Sequence, residues 1–211
     1  MARKTAAPPQ RKPRTLAGLN KLIAASEPLS AGADRAVFGE GPVGAAIAFV
    51  GEQPGDVEEK EGRPFVGPAG KMLRGMMDGV GLSPERAYLT NAVKHFKFVQ
   101  RGKRRLHQRP TAGEIERYRW WLGLELDFVD PALVVALGSV AVRALVGKPL
   151  PIEANRGPFM FGERQGYITV HPSALLRIPE AGARRAARAA FLTDMKRIKA
   201  LSDKLTRSTR R

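Results

Sequence analysis

The chain has 211 residues, no cysteine, and a formal net charge of +16 from 36 Lys and Arg against 20 Asp and Glu. That length fills one core rather than two. The lack of cysteine excludes disulfides, iron–sulfur clusters and thiolate zinc sites held by this chain. No apolar run approaches the roughly 20 residues that span a bilayer, and the N-terminus has no hydrophobic signal core. A cytoplasmic protein without membrane association is expected. The excess of cations points to a polyanionic partner, nucleic acid before membrane, because no strong amphipathic anchor accompanies it.

Met1 to Thr15 holds three prolines and five basic residues with little to bury, and reads as disordered. The whole of 1–35 is taken as a basic, largely disordered segment, with a short helix possible over Leu16 to Ala25. The folded domain is expected over 36–201, with a basic tail over 202–211. Ala45 to Val50 is an apolar run of strand type that breaks at once into Gly51-Glu52-Gln53-Pro54-Gly55-Asp56. Asp56 to Pro68 reads as a polar loop containing an isolated Phe65. Pro68 suits the first turn of a helix, and Met72, Leu73, Met76, Met77 and Val80 continue it at helical spacing until Gly81.

Ala87 to Val93 reads as a second strand, followed by a long basic loop from Lys94 to Pro110. Thr111 with Glu114 makes a capping box for a helix that runs to about Phe128. Leu133 to Leu137 is a third strand, closed by Gly138, and Ser139 is expected to cap a helix to Val146. Residues 149–166 read as turns with one antiparallel excursion. Tyr167 to Val170 is the last strand, and a basic, alanine-rich helix follows Pro179 to about Leu201. Strands alternating with helices imply an α/β protein, a three-layer α/β/α fold with a central, mostly parallel sheet.

Three segments put polar groups where such sheets bind ligands, at the carboxyl ends of strands. Glu52, Gln53 and Asp56 follow the first strand. The turn that carries them is either a tight connection, a phosphate cradle or one wall of a pocket, and it matches neither nucleotide-binding fingerprint. Asn91 ends the second strand. Its amide offers one donor and one acceptor, which complement the adjacent O4 and N3–H of uracil or thymine and not of cytosine. Phe65 either stacks on such a base or packs in the core. His171 ends the last strand and is either a satisfied structural histidine or part of the pocket. After it, Leu175, Leu176 and Arg177 are either a wedge for a duplex with an extruded base or the packed start of a helix.

Gly51-Glu52-Gln53-Pro54-Gly55, Pro64-Phe65-Val66-Gly67-Pro68-Ala69-Gly70, Thr90-Asn91-Ala92-Val93-Lys94 and His171-Pro172-Ser173-Ala174-Leu175-Leu176-Arg177 together resemble the uracil-DNA glycosylase superfamily. The resemblance covers about residues 36 to 200 and is to the branch that usually carries an iron–sulfur cluster. Lys103-Arg104-Arg105-Leu106-His107 further resembles the basic loop of the UdgX type, whose members excise uracil and become covalently joined to the DNA. The resemblance implies that Gln53 and Asn91 hold the uracil edge, that Phe65 stacks on the ring and that Asp56 supports the pocket. It implies that His171 stabilises the departing uracil anion and that Glu52 orients or activates the nucleophile. His107 would be that nucleophile, attacking C1′. Lys103, Arg104, Arg105, Ser173, Leu175, Leu176 and Arg177 would contact DNA, single-stranded and double-stranded, with the protein a monomer. Two other readings stay open: a turnover enzyme in which Glu52 activates water, and a non-catalytic DNA-binding protein. Relatives hold their cluster with cysteines before the first strand and in the helix after the basic loop, with help near His95. This chain lacks those cysteines, so no cofactor and no metal are expected, with packing from Tyr118, Trp120 and Trp121 in the cluster's place.

Overall fold

The first helix, α1 (Leu16–Ala24), starts where the Thr15 hydroxyl accepts the Gly18 amide at 3.0 Å, a side-chain cap on a free helical donor. In this computed structural model, which describes residues 12–33 and 35–208, the order continues β1 (Ile47–Gly51), α2 (Asp56–Glu61) and α3 (Pro68–Gly79). A single 3₁₀ turn at Pro84–Arg86 leads to β2 (Ala87–Asn91), then β3 (Phe98–Arg101), β4 (Arg104–His107) and α4 (Ala112–Val129). The chain closes with β5 (Leu133–Leu137), α5 (Gly138–Val146), α6 (Ile152–Asn155), β6 (Gly157–Phe161), β7 (Arg164–Thr169), α7 (Pro172–Leu176) and α8 (Ala181–Ser208).

The central sheet runs β2-β1-β5-β7-β6, with β2, β1, β5 and β7 parallel and β6 antiparallel on one edge. Every residue of β1, β2 and β5 is buried, which is why β1 and β5 read as unbroken apolar runs rather than alternating ones. On one face, Ala48, Val50, Val134, Ala136 and Ile168 pack against Ile115, Leu122 and Leu126 of α4 and Val140, Ala141, Val142 and Ala144 of α5. On the other, Ile47, Phe49, Leu133, Val135, Leu137 and Tyr167 pack against Leu73 and Met77 of α3, Leu175 of α7, and Phe191, Met195 and Ile198 of α8. This is the expected three-layer α/β/α architecture, a mostly parallel sheet with helices on both sides. Among the described residues, no helix is long and apolar enough to cross a membrane.

Several local expectations are corrected. Residues 12–33 are not a detached tail: Leu19 and Ile23 of α1 are fully buried against Leu124, with Trp120, Trp121 and Phe128 alongside. A short amphipathic helix gains its stability from such packing rather than from propensity. Residues 1–11 and 209–211, the ends of the two expected tails, lie outside the described residues. The last helix does not end near Leu201 but continues to Ser208, with Ser202 buried and its hydroxyl donating to the Ala46 carbonyl at 3.4 Å. Asp56–Glu61 is a helix rather than loop. The basic loop is an antiparallel hairpin, Phe98↔His107 to Arg101↔Arg104, turning at Gly102 with φ +58. Ser139 does not cap α5, which starts at Gly138 after Leu137.

Candidate active site

β1 and β2 stop at the same level, with Gly51 opposite Asn91, and β5 and β7 stop beside them, with Leu137 opposite Thr169. A cleft of about 970 Å³ opens over these carboxyl ends. Glu52, Gln53, Phe65, Asn91, His107, His171, Ser173, Leu176 and Arg177 line it, so the structure brings together most of the residues singled out from the sequence.

Its floor is tightly fitted. A Cβ on Gly51 would lie 2.3 Å from Asn91 Oδ1 and 2.6 Å from Phe65 Cζ, so only glycine lets the amide and the ring approach the strand end together. Phe65 is buried and holds a left-handed backbone with φ +56, which is rare for an aromatic residue. Gly70 admits that turn, because a Cβ there would come within 2.0 Å of the Phe65 carbonyl oxygen. The Phe65 ring stacks on the His171 imidazole at 6.5 Å and 28°.

His171 is set by its own helix start. The Ser173 amide donates to His171 Nδ1 at 3.2 Å, and Ser173 Oγ lies 2.8 Å from the same atom. A backbone N–H can only donate, so Nδ1 is an acceptor and the neutral ring carries its proton on Nε2. Burial, with Arg177 and His107 adding to it, lowers the His171 pKa to about 4. The site therefore holds a neutral N–H donor near physiological pH.

Glu52 sits across the cleft, and burial raises its carboxyl above the ordinary range, against the opposing pull of His107, Arg109 and Arg177. His107 Nε2 stands 3.6 Å from Glu52 Oε1, with the imidazole side chain 49% exposed and the carboxylate 24%. The Phe96 ring lies 6.1 Å from the imidazole. A carboxylate, an exposed imidazole and a neutral donor thus face one space. Cleaving an N-glycosidic bond develops positive charge on the sugar and negative charge on the base, and this set addresses both.

Some assignments change. Gln53 does not offer its amide to the cleft: Nε2 donates to the carbonyls of Lys97 at 3.2 Å and Gln108 at 3.1 Å, and Oε1 accepts the Lys97 amide at 3.3 Å. It fastens the base of the hairpin. Asp56 lies outside the cleft and pairs with Lys60 at 2.6 Å and Arg105 at 2.5 Å. Arg105 also pairs with Glu59 at 3.0 Å and lies over the Phe96 and Phe98 rings at 5.5 and 5.2 Å. It anchors the hairpin, whereas Lys103 and Arg104 are exposed. Leu175 is core at 3% exposure, and Leu176 beside it is 40% exposed.

Other residues of the site went unnoticed in the sequence. Glu58 accepts the amides of Gly55 at 3.2 Å and Gly67 at 2.8 Å, tying α2 to the start of α3. Its signal was the Gly55-to-Glu58 spacing of a helix start, hidden by reading 56–68 as loop. Arg109 donates to Ser139 Oγ at 2.7 Å, and both line the cleft.

An iron–sulfur cluster does not fit this chain. It has no cysteine, and among the described residues no group of three or more His, Asp or Glu side chains gathers into a metal site. His95 Nδ1 is engaged at 2.5 Å by the Tyr118 hydroxyl, and Tyr118 packs edge-on against Trp121, with Leu29 and Val93 around them.

Residues 38–196 match the model of the uracil DNA glycosylase superfamily. The chain is 35% identical to a Type-4 uracil-DNA glycosylase of Thermotoga maritima over 71% of its own length and 76% of that protein. It is 35% identical to one of Sulfurisphaera tokodaii, over 68% and 67% of the two chains. With one of Archaeoglobus fulgidus it shares 33% identity, over 68% and 73%. By fold, by the motifs gathered at its cleft and by these likenesses, the chain belongs to the uracil DNA glycosylase superfamily.

Proposed function

We propose that this protein is a uracil-DNA glycosylase of the UdgX type, which excises uracil from DNA and is then joined to the abasic sugar through His107. The observation that carries this reading is the approach of His107 to Glu52 over a cleft that also holds Asn91, Phe65 and His171. A non-catalytic DNA-binding protein has no need of that set. The protein acts as a monomer on uracil in single-stranded and double-stranded DNA, and needs no resident cofactor.

The flipped uracil stacks on Phe65, and the Asn91 amide pairs with O4 and N3–H. As the N1–C1′ bond breaks, its electron pair stays with uracil, and His171 Nε2–H donates to O2 of the resulting anion. Glu52 stabilises the positive charge at C1′. A lone pair of neutral His107 then forms the new bond to C1′, and the alkylated imidazolium sheds its remaining proton to Glu52 or solvent. Lys103, Arg104, Ser173 and Arg177 grip the phosphates, while Leu176 fills the gap left in the stack. Such work is positional and electrostatic.

The second reading is a turnover enzyme in which Glu52 activates water. It is favoured by the 3.6 Å gap between His107 and Glu52, wider than a hydrogen bond. A denaturing gel of the protein with uracil-containing single-stranded DNA separates the two. A denaturant-resistant adduct that is lost in His107→Ala supports the first, free uracil without an adduct supports the second, and no uracil release despite DNA binding would sink both.

A further inference from the structure

Lys94 is completely buried, and so is its counter-ion Glu125 on α4. The ammonium group has three hydrogens and finds three acceptors: Thr90 Oγ1 at 2.6 Å, the Asn91 carbonyl oxygen at 2.8 Å and the Glu125 carboxylate. Glu125 also accepts the Tyr88 and Thr90 hydroxyls, each at 3.0 Å. Burial pulls the lysine pKa down and the adjacent carboxylate pulls it back up. A desolvated ion pair is a weak device for stability alone, since apolar side chains of similar volume often do as well or better. Its position suggests another use.

The carbonyl that Lys94 grips belongs to Asn91, which lines the cleft. The next two amides, of Ala92 and Val93, donate to the carbonyls of Gly51 at 2.9 Å and Glu52 at 3.0 Å. Those bonds hold the segment sideways against β1. Lys94 supplies the hold from beneath, on the Asn91 peptide itself. Gly51 lies close against Asn91 Oδ1, so the side-chain amide sits against the end of β1 while Lys94 holds the backbone carbonyl of the same residue.

We propose that Lys94, with Glu125 as its counter-ion, is a positioning residue for base recognition, fixing the Asn91 peptide so that the side-chain amide meets the base edge in one orientation. This rests on the reading of Asn91 as the base reader. Misplacing a recognition group by even an ångström is enough to slow a reaction by about a hundredfold.

The test is a thermodynamic cycle in the full chain. Lys94→Met alone strands a buried carboxylate, so it is combined with Glu125→Gln, which still accepts from Tyr88 and Thr90. Single-turnover release of uracil from a single-stranded oligonucleotide is measured for the wild type, Lys94→Met/Glu125→Gln, Asn91→Ala and the triple variant. The maximal rate of the double variant is expected to fall about tenfold to hundredfold with half-saturation by DNA unchanged. The triple variant is expected to be no slower than Asn91→Ala, because both changes remove one function. A folded double variant with the wild-type rate, or a triple variant in which the two losses multiply, overturns the proposal. Should the double variant fail to unfold cooperatively, Lys94→Leu/Glu125→Gln takes its place in the same cycle, because it too removes the bond to the Asn91 carbonyl, with the same expected pattern and the same overturning result. A wild-type protein that releases no uracil, or an Asn91→Ala variant at the wild-type rate, instead removes the underlying reading, and the role of Lys94 falls with it.

Discussion

His107 Nε2 and Glu52 Oε1 meet at 3.6 Å, one from the end of a basic hairpin and the other from the first residue past β1. Nothing local in the chain joins them. The carboxylate is placed by the sheet, the imidazole by a hairpin that must be held in register above it. Glu52→Gln is therefore expected to lower the single-turnover rate of uracil release by about a hundredfold to a thousandfold, the scale of removing one preorganised charge-stabilising group. The wild-type rate should rise with pH through a midpoint above the ordinary glutamate value, because burial raises the Glu52 pKa and the ionised form is the useful one. A rate independent of pH in that range would exclude Glu52 from the chemistry.

Gln53→Ala distinguishes a hairpin clamp from a base contact. Loss of its three hydrogen bonds to Lys97 and Gln108 loosens the strands that carry His107. Adduct formation, read on a denaturing gel, is expected to fall about tenfold, while uracil release changes by less than half that factor. The reverse order would return Gln53 to the uracil edge.

Arg105 and its neighbours should separate by salt dependence. Lys103→Ala and Arg104→Ala are each expected to reduce the slope of log affinity against log salt by about one phosphate contact. Arg105→Ala should leave the slope unchanged and lower stability by about 1–2 kcal/mol, because its pair with Glu59 is shielded while Asp56 is more exposed and partly screened by solvent. Titrations at several ionic strengths, beside denaturant melts, check both.

The two adjacent leucines should behave oppositely. Leu175→Ala opens a hole in the α3–α7–α8 core and is expected to destabilise the fold by about 2–5 kcal/mol. Leu176→Ala should leave the melting temperature nearly unchanged, and should slow excision from duplex DNA more than from a single strand, where no gap needs filling. Equal losses on both substrates would remove Leu176 as the wedge.

Acid should weaken the fold through two histidines. His95 and His171 are each lowered by burial to about 4 from an ordinary 6.5. Between those values the unfolded chain binds protons that the folded chain refuses, so stability is lost as pH falls through that window. Glu52 works the other way just above its ordinary value, because its raised pKa lets the folded state take up a proton first. Melting temperatures between about pH 7 and about pH 4 should decline, and His171→Gln should make the decline shallower. An unchanged slope in that variant would show that His171 titrates normally.

Much of this was legible in the chain. Unbroken apolar runs marked β1 and β5, because strands buried on both faces carry no polar register. Thr111 and Glu114 announced the start of α4, and the capping box is present with the Thr111 hydroxyl accepting the Glu114 amide at 3.3 Å. Polar residues directly after strands marked the cleft, since parallel strands deliver their carboxyl ends to one edge. Glu52, Asn91 and His171 were reached in this way, each from its place at or just after the end of a strand.

What only the tertiary structure decided is which polar group faces the cleft and which is spent holding another element. Gln53, Asp56 and Arg105 have the composition of a binding site, yet each is consumed by a partner 44 to 55 positions away in sequence. Leu175 and Leu176 are chemically identical, and only the packing of α7 on the core buries one and leaves the other at the rim. Lys94 carries a charge that normally belongs at the surface, and only the fold supplies the Glu125 that lets it lie beneath Asn91. The period of a strand or helix is written in neighbouring residues. The partners that occupy Gln53, Asp56, Arg105 and the Lys94 charge are long-range contacts, and no local pattern encodes them.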